Sequence, residues 1–451
     1  VGEDPWGVPR TGHAVGWAQT APSPVFRKTF SIDQPVRRAT VHVTGLGYYE
    51  LSLNGSKVGD RALDPAFTRY DRCVLYASYD VTRSIRQGAN ALGMMLGNGW
   101  YNMHTRATWD FDQAPWRGEP RMLLHLRIKL ADGSVRTIVS DESWRASTGP
   151  VVLDGIRTGE VYDARRENPG WNRAGFDDSD WSRPSLADPP GGKLRAQAMP
   201  PLRVTETIRP VSIRETRSGV FLFDLGRNIA GWARLRVQGP AGTEINMRYS
   251  ERIREDGSLE RTEISKFNFQ GPFQQDTYIL KGDGKESWEP RFVYHGFQYI
   301  EVSGFPGKPT LADLDGRLVH TDFEPRGSFR CSNELLNRIQ ELTLVSYLCN
   351  YHGYPTDCPQ REKNGWTGDA HLAAEQGLFN WNSASAYAKW IADIRGEQRD
   401  SGEIAAIIPT GGWGYTHFNG PAWDSAHVLI PWYVYLYTGD LRILERNYES
   451  M

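Results

Sequence analysis

Two hydrophobic periods divide the chain. From residue 25 to about 304, apolar and polar positions alternate with a period of two; beyond about 325 they recur every three to four. In the first region "VFRKTFSI" (25–32), "ATVHVTGLG" (39–47) and "YYELSLNGSKVG" (48–59) read as strands with one buried face. Asn54-Gly55 lies between "ELSL" and "SKVG". That dipeptide accepts the two positive φ angles of a tight hairpin turn, so a hairpin is expected there. "ALGMMLGNGWY" (91–101) and "RMLLHLRIKL" (121–130) continue the alternation, with Asp132-Gly133 as a second hairpin candidate. No helix-length apolar stripe interrupts them. The spacing predicts an antiparallel β-sandwich over 1–195, closed by the Pro and Gly of "ADPPGGK" (187–193). "GVFLFDLG" (219–226), "GWARLRVQG" (231–239), "TEINMRYSE" (243–251), "DTYILKG" (276–282) and "FQYIEVSG" (297–304) predict a second antiparallel β-sandwich over 196–322.

The helical period begins with "SNELLNRIQELTLVSYLCNY" (332–351). Leu335, Leu336, Ile339, Leu342, Leu344, Val345 and Leu348 form a wide stripe there, and Ser332 or Asn333 is the N-cap. Three more helices are expected at 368–382, at 383–399 with Ser383 as N-cap, and at 422–440. "LRILERNYESM" (441–451) opens a fifth without a Gly or Pro stop, so the helical region 323–451 is expected to be incomplete.

Composition narrows the function classes. The 451 residues carry a net charge of −2, which offers no electrostatic footprint for nucleic acid and no polybasic membrane patch. Mean hydropathy is −0.53, and no apolar run approaches the roughly 20 residues of a membrane helix. Cys73, Cys331, Cys349 and Cys358 are scattered, with no CxxC pair to hold zinc. Free thiols favour a reducing compartment. The chain begins at Val1 rather than Met, however, so a lost leader leaves secretion or a periplasmic location open. There are 16 Trp and 20 Tyr. About six Trp would be usual for this length. Flat rings suit either a large core or the apolar face of a sugar.

"YPTDCPQREKNGWTGDAH" (354–371) concentrates chemistry directly before a helix. Asp357, Arg361, Glu362, Lys363 and Asp369 are too many charges for a core, while Trp366 between Gly365 and Gly368 is unneeded in a solvated loop. A concave polar site uses both. Sugar hydrolysis asks for two carboxyl groups, one protonated to serve the leaving oxygen and one to activate water or attack. Glu362 is the acid candidate: Asp357 and Asp369 would raise its pKa, Arg361 and Lys363 would lower it. The plainer reading makes Glu362-Lys363 a solvated pair and Asp369 a first-turn acid favoured by the helix dipole. "TGGWGYTHFNGPAWDSAH" (410–427) adds Trp423 and Asp424 at the start of a helix. His371 and His427 read as packing residues and Cys358 as a buried thiol.

The segment "YPTDCPQREKNGWTGDAHLAAE" (354–375) resembles the signature of bacterial α-L-rhamnosidases, glycoside hydrolase family 78. The resemblance extends to "DTYILKGDGKESWEPRFVYHGFQYIEVSG" (276–304), "LGNGWY" (96–101) and "GEVYDARRENPGWNRAGFDDSDW" (159–181). It implies two β-sandwich domains followed by the first part of an (α/α)6 barrel that hydrolyses terminal α-L-rhamnosides with inversion. Glu362 would be the general acid, and Asp357, Arg361, Trp366 and Asp369 would bind the rhamnose, with Trp423 and Asp424 beside them. The family's general base lies far downstream, so no residue of this chain is assigned that role. Similar N-terminal segments in some relatives belong to a rhamnose-binding module that uses calcium. That would make Asn98, Trp100 and Glu160 an accessory sugar site, against a plain reading of Asn98 and Trp100 as turn and core residues. No other cofactor or metal is implied, and the implied partners are rhamnose-containing glycosides or oligosaccharides, not nucleic acid or membrane. Two other readings stand beside this one: a sugar-binding fragment without turnover, and another (α/α)6 enzyme such as a lyase or phosphorylase.

Overall fold

The turn at Asn54-Gly55 takes φ of 53° and 86°, the left-handed pair a two-residue hairpin needs, and joins Tyr48–Leu53 to Ser56–Lys57. This hairpin belongs to a computed structural model that describes residues 21–269, 271–416 and 420–451. The start at Val1 and residues 417–419 of the Trp-rich stretch lie outside the described residues.

Strands Ser56–Lys57, Tyr48–Leu53, Gly88–Gly97, Pro24–Ile32 and Arg145–Thr148 form one five-stranded sheet. Lys193–Ala196, Cys73–Asp80, Val36–Leu46, Arg121–Leu130 and Val135–Val139 form another. Alternation sends one face of each inward. In Arg121–Leu130, Leu124, Leu126, Ile128 and Leu130 are buried, and they meet Val41, Leu51 and Met94 in a shared core. Arg121–Leu130 and Val135–Val139 pair as the Asp132-Gly133 hairpin expects.

Strand pairing crosses the expected boundary at residue 195. Val151–Gly155 and Gly159–Asp163 leave the first pair of sheets, and Gly159–Asp163 runs parallel to Gln275–Ile279. The chain then returns to the first region, where Lys193–Ala196 lies parallel to Cys73–Asp80. Residues 196–322, expected as two stacked layers, contribute to one continuous ten-stranded sheet. Its spine is Val220–Gln238, which pairs with His295–Ser303 along its first half and with Leu314–Thr321 and Lys285–Trp288 along its second. An irregularity between Asp224 and Ile229 separates the two halves.

The helices follow. Glu334–Cys349 is capped by Asn333, whose side chain accepts from the Leu335 N–H at 3.0 Å. Thr367–Asn380 and Ala384–Glu397 both pack on Ala426–Thr438. Ser383 holds the N-cap position of Ala384–Glu397, but its hydroxyl makes no capping bond. The helix expected over 422–440 is two: Pro421–Asp424 and then Ala426–Thr438. The stripe expected on 332–351 is only partly used. Tyr347 and Cys349 are buried, whereas Leu335, Leu336, Ile339 and Leu342 are 68%, 47%, 51% and 53% exposed. One apolar core joins the three regions, running from Trp100 and Phe111 through Phe223 and Ile300 to Tyr387 and Trp390.

Candidate active site

Residues 354–366 form a loop that is pinned at its end by neighbouring backbone. Trp366 bridges antiparallel to Ile407, the Ile408 N–H donates to the Gly365 carbonyl at 2.8 Å, and the Thr367 N–H donates to Ala406 at 2.9 Å. The approach at Gly365 is too close for any side chain: a Cβ there would sit 1.9 Å from the Ile408 oxygen. Inside the loop, the Asp357 N–H donates to the Asn364 carbonyl and the Asn364 N–H returns a bond to Asp357 Oδ1, both at 3.0 Å. Helix Thr367–Asn380 starts immediately afterwards and carries Asp369 in its first turn, exposed.

Two buried cations hold this loop from the sheet side. Arg157, wholly buried, donates from Nε to the Glu362 main-chain oxygen at 3.0 Å and from Nη2 to Asn364 Oδ1 at 2.7 Å. Its guanidinium lies 4.7 Å from the ring centre of Trp109 and 5.0 Å from that of Trp100. Lys363, also wholly buried, turns its ammonium to the carbonyls of Ile156 and Tyr294 and keeps a left-handed φ of 58°. Burial and the nearby Arg157 bring its pKa down to about 7. The Glu362-Lys363 pair is therefore split, with the two side chains in different surroundings.

Glu362 is 5% exposed. Its Oε2 accepts from the Trp366 indole N–H at 2.7 Å, and Arg361 Nη2 stands 3.4 Å from Oε1. Burial pushes its carboxyl up from the usual range and Asp369 adds to that, while Trp366, Arg361 and Arg157 pull it back. Asp357 is pushed well up by burial and then by the Glu362 charge, against bonds from the Cys358 thiol and the Asn364 N–H. Asp369 is raised by desolvation too. The site thus gathers carboxyl groups that resist ionising together, next to one indole donor and one guanidinium.

Asp357, Arg361, Glu362 and Trp366 share the loop. Trp366 meets Trp413 edge-on at 5.7 Å, and the Trp423 indole packs against Gly368, in the turn that carries Asp369. His371 Nε2 lies 2.7 Å from the Ala422 carbonyl, tying Pro421–Asp424 to the helix that carries Asp369. Asp424 sits in that short helix with its carboxyl raised by burial. Phe267, which the sequence pattern did not single out, lies beneath the Arg361 guanidinium at 5.2 Å.

Asn98, Trp100 and Glu160 sit elsewhere. All three are buried. Asn98 donates to the Asp154 carbonyl and Oδ1 at 3.0 Å, Trp100 stacks on Phe67 at 5.0 Å, and Glu160 accepts the N–H groups of Arg291 and Phe292. Sealed in this way they offer no face to a sugar. Trp100 instead backs Arg157. Among the described residues no group of three or more His, Cys, Asp or Glu side chains is placed to hold a metal ion. Arg157 was missed because its partners lie about two hundred residues away; an arginine in the mostly uncharged "VVLDGIRTG" (151–159) was the only local sign.

Comparison with known proteins matches three successive family profiles. Residues 34–206 match the α-L-rhamnosidase N-terminal domain, 214–320 the bacterial α-L-rhamnosidase concanavalin-like domain, and 324–451 the bacterial α-L-rhamnosidase six-hairpin glycosidase domain. An α-L-rhamnosidase of Formosa agariphila is 37% identical over 438 residues, covering 94% of this chain and 46% of that protein. One of Streptomyces avermitilis is 38% identical over 412 residues, covering 91% of this chain and 39% of that protein. The chain thus spans less than half the length of these relatives. The α-L-rhamnosidase structure from Dictyoglumus thermophilum superposes with a TM-score of 0.89 at 43% identity, over 95% of this chain and 47% of that one. The Streptomyces avermitilis α-L-rhamnosidase complexed with L-rhamnose superposes at 0.90 with 36% identity, over 95% and 41%. With its strand-rich regions, its helices and its charged loop each falling inside a matching profile in the same order, the chain belongs to the bacterial α-L-rhamnosidase family.

Proposed function

We propose that this chain carries the acid half of an inverting α-L-rhamnosidase, which removes terminal rhamnose from rhamnosides or rhamnose-containing polysaccharides. Its two β regions are read as sandwiches, the second sharing the bent strand Val220–Gln238 between its layers, and its helices as the first part of an (α/α)6 barrel. One observation carries the catalytic reading: Glu362 is nearly buried, is held at 2.7 Å by the Trp366 indole, and has a carboxyl raised by burial. A carboxyl whose protonated form is favoured by burial can give its proton to a glycosidic oxygen. Asp357 and Asp369 grip hydroxyls, Arg361 balances the charge, and Trp366 with Trp423 walls the apolar side of a deoxy sugar. In an inverting site the base stands about 6.5–9.5 Å away across a water, and no described residue is given that part. Acid, base and water complete the reaction without a cofactor.

Glu362→Gln in the full-length enzyme tests this. Rate should fall by roughly 10²–10⁴ on alkyl rhamnosides. Aryl rhamnosides with good leaving groups need little protonation and should lose much less. Equal loss on both would remove Glu362 from the acid role.

A further inference from the structure

Glu362 presents its two carboxyl oxygens to different neighbours. Oε2 accepts the Trp366 indole N–H at 2.7 Å. In a protonated carboxyl the oxygen without the hydrogen is the better acceptor, so this bond places the hydrogen on Oε1. Among the described residues Oε1 takes no hydrogen bond; it is not sealed from solvent, and it faces Arg361 Nη2 at 3.4 Å as an ion pair. A leaving oxygen that receives this proton has to come up on the Arg361 side.

That side is built by the strand-rich part of the chain. The Arg361 side chain is 34% exposed, and its guanidinium lies 5.2 Å from the ring centre of Phe267. Phe267 belongs to the stretch 261–269, between the strands Glu244–Ser250 and Gln275–Ile279 of the ten-stranded sheet. It is buried, meets Trp109 at 5.4 Å, and accepts the Thr108 N–H at its carbonyl at 3.2 Å. Its neighbours are tied down as well: Asn268 bridges antiparallel to Ala107, and the Phe269 N–H donates to the Arg106 carbonyl at 3.0 Å. Beside Arg361, Gln360 Nε2 donates to Glu251 Oε2 at 2.9 Å, a second tie to the same part of the sheet. A flat ring seats a guanidinium without consuming its N–H donors, which stay available to an oxygen of the substrate.

We propose that Phe267 and Arg361 form the leaving-group side of the site. Phe267 is a positioning residue that seats Arg361 beside the proton-giving oxygen, and Arg361 is the first group that the departing sugar or aglycone meets. The inference rests on Glu362 being the acid and adds where the leaving group lies. It also gives the strand-rich region a part in choosing the substrate, since Phe267 is rooted there and not in the helices.

The test uses the full-length enzyme and two substrates with the same rhamnose and alkyl leaving groups of different size, methyl α-L-rhamnoside and a rhamnosyl-glucose disaccharide. Phe267→Leu keeps apolar bulk but removes the flat face under Arg361. It should raise KM for the disaccharide about fivefold, the worth of one cation–ring contact, and leave both KM for the methyl rhamnoside and inhibition by free rhamnose within about twofold. Phe267→Tyr keeps the ring and should behave as the parent. Arg361→Lys keeps the charge without the flat guanidinium and should give the same split as Phe267→Leu, so a folding defect in one variant leaves the other to decide. Equal change on the two substrates, a matching loss of rhamnose inhibition, or Phe267→Tyr no better than Phe267→Leu would each overturn the proposal. Glu362→Gln, assayed alongside on alkyl and aryl rhamnosides, separates the two possible failures. If it loses rate mainly on alkyl rhamnosides while Phe267→Leu shows no split, this proposal alone falls; if it loses equally on both, the acid assignment falls and takes the proposal with it.

Discussion

Arg157 reaches across 205 residues of chain to donate to the main-chain oxygen of Glu362 at 3.0 Å. The candidate acid is thus aimed by a cation from the strand-rich half of the molecule. The guanidinium fork makes two bonds at once, to Glu362 and to Asn364, while its face rests on Trp100 and Trp109. Lysine keeps the charge but has neither the fork nor the flat face. Arg157→Lys in the full-length enzyme should lower kcat by about 10- to 100-fold through misplacement of the acid. KM should change much less. A KM effect as large as the kcat effect would mean that Arg157 shapes the binding of rhamnose instead.

Trp366→Phe isolates one bond. The indole N–H at 2.7 Å favours the Glu362 anion and so pulls its pKa down. Without it that pKa rises and the acid stays protonated to higher pH. The basic limb of the kcat/KM profile on an aryl rhamnoside should therefore move up, by about one pH unit for a charge-assisted bond. A limb that moves down would contradict the geometry.

Glu160 tests the buried carboxyl groups of the β regions. Burial lifts its pKa to about 8, despite the opposing Arg291 charge. An unfolded chain has it near about 4.3, so the folded state holds the proton more tightly, and stability falls as pH rises from about 4 to 8. Glu160→Gln removes that titration. Its melting temperature should change less between pH 5 and pH 8 than the parent's, measured by calorimetry. Asp154 and Glu397, each lifted to about 7, leave some slope in both proteins. An equal slope in the variant would show that Glu160 is already ionised in the fold across this range.

The exposed face of Glu334–Cys349 makes a prediction about association. Leu335, Leu336, Ile339 and Leu342 present one apolar strip, and Trp432 and Leu436 on Ala426–Thr438 are also half exposed. Patches of several hundred Å² promote contact between copies. The 451-residue chain should self-associate in analytical ultracentrifugation at micromolar concentration. Ile339→Glu with Leu342→Glu should reduce this without changing the melting temperature by more than a few degrees. Equal association in the double variant would place the contact elsewhere.

What could be read from sequence was local. Asn54-Gly55 fixed a hairpin because its two φ angles are a property of those residues alone. The first three helices came out within about two residues of their ends, because their period is local as well, whereas the one expected over 422–440 is broken in two and the one opening at 441 is only Arg442–Glu445 and a short turn. The charged loop was visible because Trp366 and its glycines are odd company for five charges. What could not be read depends on distant partners. Gly159–Asp163 alternates like its neighbours, but nothing in those letters says that it pairs with Gln275–Ile279 instead of with the first sheets. Lys363 looks like a surface charge until the carbonyls of Ile156 and Tyr294 are brought to it by the fold. The stripe on Glu334–Cys349 predicted burial, and periodicity alone does not name the surface that would bury it.

The parallel pairing of Tyr162 with Tyr278 has a consequence for how the protein is made. A chain leaving the ribosome presents Val151–Gly155 and Gly159–Asp163 long before their partner strand exists. The hairpins around Asn54 and Asp132 can close at once, since their contacts are short in sequence. The strands at 151–163 must wait, with one edge unpaired, until residues beyond 275 have emerged. Translation pauses or truncation between residues 163 and 275 should therefore yield nascent chains that bind chaperones strongly, while pauses after residue 321 should not.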